Sequence, residues 1–189
     1  MENFYIRGIL ANLVTLGILL ACLFIPAGTL SYWQAWVFLA VFAVSSQALG
    51  IYFLMHDRKL VERRMKIGPV AEKRAAQKVI SALFTLGFAA FVVLSAFDHR
   101  FGWSPVAPLL SIIADAVIVV SFILFFLVMK SNTYAASTIQ VEQGQPVVSA
   151  GPYAYVRHPM YSGALLLVAT IPLALGSRWG LPRNRLAHP

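Results

Sequence analysis

Four long apolar runs limit this chain to very few architectures. Ile9–Leu30, Trp33–Leu54, Val79–Phe97 and Leu109–Met129 hold 22, 22, 19 and 21 residues, and Asp115 is the only formal charge within them. At about 1.5 Å of rise per residue, a helix of this length crosses a hydrocarbon core of about 30 Å. A fifth run, Tyr161–Gly176, has 16 residues and reaches only about 24 Å by the same rise. These lengths predict an all-α, polytopic membrane protein with four full transmembrane helices plus a shorter fifth, built as one membrane domain. Composition agrees: 59% of the 189 residues are apolar and 12% charged, against roughly 25% charged in a soluble domain.

The net charge of +8 would point to nucleic acid in a soluble protein. Here eight of the fifteen Lys and Arg fall between Arg58 and Lys78. A basic connection between apolar runs marks the cytosolic side of a membrane and attracts anionic lipid heads. The expected partner is therefore the lipid bilayer, with no nucleic acid. A plasma (inner) membrane is the expected location, with this connection cytosolic. Cys22 is the single cysteine, so a disulfide framework and a cysteine-based metal site are both excluded. The histidines at 56, 99, 158 and 188 are scattered, and no metal site is assigned. The first run is too long for a signal-peptide core and meets a second run almost at once.

Taken in order, Ser31 and Tyr32 read as a two-residue turn that makes runs one and two an antiparallel hairpin. Trp33 and Trp36 follow where an aromatic belt would place them. In the basic connection, Leu60, Val61, Met65 and Ile67 alternate with cations, which suits helical pieces on a membrane surface broken at Gly68-Pro69. Asp115 lies about 9 Å into the fourth run by the helical rise. It reads as a functional candidate by default, or more simply as a residue facing the outer loop or a helix partner. Lys130 closes that run, and Ser131–Ala150 is a polar connector without a regular element.

Chemistry concentrates between Gly151 and Gly163, in Gly-Pro-Tyr-Ala-Tyr-Val-Arg-His-Pro-Met-Tyr-Ser-Gly. Pro159 suits the first turn of a helix, where an N–H has no partner in any case. The free amides of that turn and the positive end of the helix dipole favour a carboxylate or phosphate. Arg157 and His158 sit directly before it. Each residue also has a plain reading: a cytosolic cation, an aromatic belt, a helix starter, an interfacial imidazole.

The spacing Gly-Pro-Tyr-x3-Arg-His-Pro-x-Tyr-x-Gly before the last apolar run resembles the isoprenylcysteine carboxyl methyltransferase family and its bacterial relatives. The resemblance is strongest over about Leu109–Gly176. It implies an integral-membrane enzyme that binds S-adenosylmethionine at the cytosolic face, outside the soluble Rossmann fold. Matched residue by residue, Tyr153, His158, Pro159, Met160 and Tyr161 fall on cofactor-binding positions, and Val147 and Val148 on a looser contact segment that acts through backbone. The implied reaction is methyl transfer to a carboxylate or other nucleophile of a lipophilic acceptor. No catalytic residue is assigned, because a direct displacement on a sulfonium asks mainly for alignment and exclusion of water.

The family continues past the motif helix into a further apolar arm carrying an Arg and a Glu-Glu pair. Here the chain reads Ser-Arg-Trp-Gly-Leu-Pro-Arg-Asn-Arg-Leu-Ala-His-Pro from Ser177. The expectation is a methyltransferase-like domain over 1–176, truncated at its C-terminal end, with an atypical tail over 177–189 and impaired activity. Three rival readings remain: a phospholipid amine or small-thiol methyltransferase, a sterol-type membrane reductase, and a non-enzymatic degenerate relative. The reductase motif has Asn and Glu where this chain has Met160 and Ala164, which argues against it.

Overall fold

The structure is a computed structural model that describes residues 2–64, 75–132 and 150–178. Its elements are α1 (Glu2–Ala27), α2 (Trp33–His56), α3 (Arg58–Arg64), α4 (Ala75–Phe101), α5 (Pro108–Ser131), a 3-10 turn (Gly151–Ala154) and α6 (Pro159–Ala174). The described residues thus form an all-helical, up-and-down bundle. α1 packs on α4, while α5 packs on α6 and on α2.

Each predicted apolar run forms a helix. Two of these, α2 and α5, are long and apolar enough to cross a membrane, and Asn12–Ala27 and α6 are shorter apolar helices. α6 has the 16 residues expected for the fifth run, displaced two residues toward its N-terminus because Pro159 starts it. The α1–α2 connection differs from the expected two-residue turn. α1 already ends at Ala27, so the link takes in residues 28–32, where the Ser31 N–H donates to Thr29 Oγ1 at 3.0 Å.

The larger core lies at the end of the bundle where residues 28–32, 102–107 and 175–177 meet. Leu23, Tyr32, Ala35, Phe38, Ile118 and Ile171 pack there, each at most 1% exposed. Polar bonds close this end across three segments. The Tyr32 hydroxyl donates to the Leu175 carbonyl at 2.6 Å, and Ser111 Oγ donates to the Leu173 carbonyl at 3.0 Å. The Val106 N–H donates to the Gly176 carbonyl at 3.2 Å beside an antiparallel bridge between Pro105 and Ser177. Asp98 accepts from the Ser104 N–H at 2.7 Å and from Ser104 Oγ at 2.5 Å. Burial pushes the Tyr32 phenol far above its ordinary range, and Asp98 adds to the effect. His99 stacks on Tyr32 with ring centroids 3.8 Å apart, and burial lowers its pKa against the opposing pull of Asp98.

Asp115 is buried on the packed side of α5. It is 4% exposed, and neither carboxylate oxygen has a hydrogen-bond partner among the described residues.

Candidate functional site

The opposite end of the bundle carries the Gly151–Gly163 motif. Gly151 has φ +63°, a left-handed conformation, and a Cβ there would run into Ser131 Oγ at the end of α5. Only glycine lets the chain turn this close to α5. The 3-10 turn that follows places Tyr153 half-buried, with its hydroxyl accepting from Asn132 Nδ2 at 3.2 Å. This bond ties the motif to the α5 C-terminus.

α6 then starts as the sequence predicts, with Pro159 in its first turn and His158 at the N-cap. Pro159 is buried, and Gly163 lets α6 approach α5 so closely that a Cβ would lie 2.7 Å from Phe125 Cε1. Met160 turns inward and packs on a small cluster of Phe53, Leu60 and Met129. His158 and Tyr161, three residues apart, share a face, with ring centroids 5.7 Å apart. Both are exposed, Tyr161 at 65%, and Tyr155 stands out at 91%. Large tyrosine faces left in the open at one end offer stacking surfaces to a ligand.

The expected row of free amides is shorter than the sequence reading implied. The N–H groups of Tyr161 and Ser162 both donate to the His158 carbonyl, at 3.1 and 3.2 Å. Pro159 has no N–H, which leaves the Met160 amide as the free donor of that turn among the described residues. The His158 ring makes no capping bond to its own helix, so its nitrogens are open to another partner. Anion binding here would draw on one amide, the His158 imidazole, the exposed Arg157 beside it and the helix dipole.

The residues present fit a sulfonium nucleotide with an amino-acid tail. His158 and the Met160 amide would meet a carboxylate, and the tyrosine rings would meet an adenine or a sulfonium. Tyr153, His158, Pro159, Met160 and Tyr161 therefore gather at one end, though by different routes. His158 and Tyr161 present open rings, whereas Pro159, Met160 and Tyr153 anchor the motif. Val147 and Val148 lie outside the described residues. The sequence reading missed the cluster beneath Met160, and the alternation of Leu60 with cations was its one visible trace. No group of His, Cys, Asp or Glu suited to a metal ion occurs among the described residues.

Comparison with known families agrees with the motif. Residues 109–183 match the family model for phospholipid methyltransferase, the wider family that also takes in the isoprenylcysteine enzymes. The matched segment begins in α5 and runs through the motif and α6, so the family match and the site rest on the same residues. No match was found among curated proteins or among solved structures.

Proposed function

We propose that the chain transfers a methyl group from S-adenosylmethionine to a lipophilic acceptor at the cytosolic face of a membrane that its four long helices span. The single observation that carries this reading is the pairing of His158 and Tyr161, 5.7 Å apart and open, inside the segment matched to phospholipid methyltransferases. Exposed apolar surface supports the membrane part. Val44, Ile51 and Met55 of α2 and Ile112, Val120 and Ile123 of α5 are all more than half exposed, more apolar surface than a water-soluble chain leaves open.

When bound, the cofactor supplies an electrophilic methyl whose bond electrons pass to sulfur as the acceptor's lone pair forms the new bond. The chain's own residues hold and align. His158 and the Met160 amide fix the carboxylate end, while Tyr161 and Tyr155 give ring faces to the base and the cation, at about 0.5–2 kcal/mol per cation–ring contact. Tyr153 and Pro159 keep this mouth fixed to α5. A carboxylate acceptor is already deprotonated at neutral pH and needs no base, so alignment carries the rate.

The family description favours a second acceptor, a phospholipid amine. Incubating membranes that contain the protein with methyl-labelled S-adenosylmethionine separates the two. A methyl ester releases its label as volatile methanol in base, whereas an N-methyl group keeps it. Base-labile label in the lipid extract supports the carboxylate, and base-stable label supports the amine. No label above that of membranes lacking the protein would overturn methyl transfer and favour a non-enzymatic relative.

A further inference from the structure

An open groove of about 370 Å³ runs between α2 and α5, lined by Val44, Ala48, Tyr52, Phe122 and Phe126 among others. Its volume falls in the range of small-molecule sites. Along α2 it extends about 12 Å by the helical rise. Ser45 and the Tyr52 hydroxyl are the polar side-chain groups in its lining. One end is not apolar. Lys130 Nζ lies 5.8 Å from the centroid of the Phe126 ring, and Lys130 is exposed. Beside it, α3 is pinned to α2 and α5 by Leu60, which is fully buried in the cluster with Phe53 and Met129. Asp57 Oδ1 accepts from the Leu60 N–H at 3.0 Å and fixes the elbow. This anchoring holds Lys59, exposed and next in sequence to Leu60, at the same end of the bundle.

We infer that this groove seats one acyl chain of an anionic phospholipid, with the phosphate held by Lys130 and Lys59. The inference rests on the reading of α2 and α5 as membrane spans. Charge decides the headgroup. Neither lysine forms an ion pair among the described residues, whereas Glu62 is bonded to Arg58 at 3.1 Å and Asp57 is engaged by the Leu60 amide. Among the described residues, an ammonium headgroup would find the carboxylates at this mouth already engaged, while a bare phosphate would find two cations. The seat is separate from the methyl-transfer site. Val119, Phe122, Ile123 and Phe126 line the groove, whereas Phe125 and Leu124 approach α6 at Gly163, so the groove uses another face of α5. His158 and Tyr161 are exposed, whereas Met160 packs on the Phe53, Leu60 and Met129 cluster that Tyr52 and Phe126 also flank.

Spin-labelled lipids in vesicles of phosphatidylcholine test this with the full chain. The fraction of immobilised label gives the preference for phosphatidylglycerol over phosphatidylcholine. Wild type should prefer phosphatidylglycerol roughly fivefold, the attraction of about one cation near the surface. K130Q should lower the preference, K59Q/K130Q should abolish it, and A48W, which fills the groove, should release the immobilised label. Equal association of both lipids with wild type, or a preference that survives K59Q/K130Q, would overturn the seat. A preference unchanged in A48W would overturn the groove as its location. Titrating the same vesicles with S-adenosylmethionine reads the enzyme separately: absent cofactor binding with intact lipid preference would count against methyl transfer and leave the seat standing.

Discussion

The two ends of the bundle are built on opposite principles. At the end closed by residues 28–32, 102–107 and 175–177, aromatic and aliphatic side chains are fully buried, and Tyr32 and Ser111 donate to backbone carbonyls at the end of α6. At the motif end, a cluster of three buried side chains among the described residues underlies open tyrosines and an imidazole that makes no capping bond. One end holds the helices together and the other keeps its chemistry free. Stability and binding are therefore expected to separate along the length of the molecule, and substitutions can test that separation.

The largest expected effect is at the closed end. Leu23 is fully buried in the main core, so Leu23→Ala should cost about 2–5 kcal/mol in detergent unfolding. Leu60→Ala, equally buried but in the smaller cluster, should fall at the low end of that range because its neighbours can collapse toward the vacancy. Equal losses at the two sites would break the contrast. Tyr32→Phe comes next. It removes the donor to the Leu175 carbonyl and should cost about 1–3 kcal/mol, with cofactor affinity unchanged. A loss of affinity in this variant would show that the two ends are coupled.

The smallest expected effect is a dependence on pH. Burial lowers the His99 pKa from its ordinary 6.5, so the folded chain refuses a proton that the unfolded chain accepts just below that pH. More protons on the unfolded state mean that stability rises with pH through this window and falls on acidification. The melting temperature should therefore drop between pH 7.5 and 5.5, and His99→Phe, which keeps a ring on Tyr32, should flatten that component. An unaltered slope in His99→Phe would assign the acid response to other groups.

The same contrast explains what could be read from sequence. Run length announced the five apolar helices, because apolar length is a local property. Pro159 and the residues before it announced the start of α6 and the chemistry at its mouth, again from local signals. The closed end was not legible. Tyr32 looked like a turn residue, and nothing in the order of residues says that its hydroxyl meets Leu175, 143 positions away. Asp115 was placed in its helix, but that its two oxygens are buried without a hydrogen-bond partner among the described residues was not legible, since the face a helix buries depends on its partners. The free amides at α6 were overcounted because the carbonyl of His158 takes two of them, a bond set by the geometry of the first turn. Val147, Val148 and the break expected at Gly68-Pro69 lie outside the described residues.

Binding of labelled S-adenosylmethionine to the purified full chain, wild type against His158→Ala, is the most direct measurement. Because the His158 ring is exposed and makes no capping bond, the variant should keep the wild-type melting temperature, within the roughly 0.5 kcal/mol typical of surface changes. Its affinity should fall at least about tenfold, the order of one lost hydrogen bond to a charged group. Wild-type protein that melts cooperatively yet binds no S-adenosylmethionine, or a variant that binds as tightly as wild type, would contradict a cofactor site at the mouth of α6.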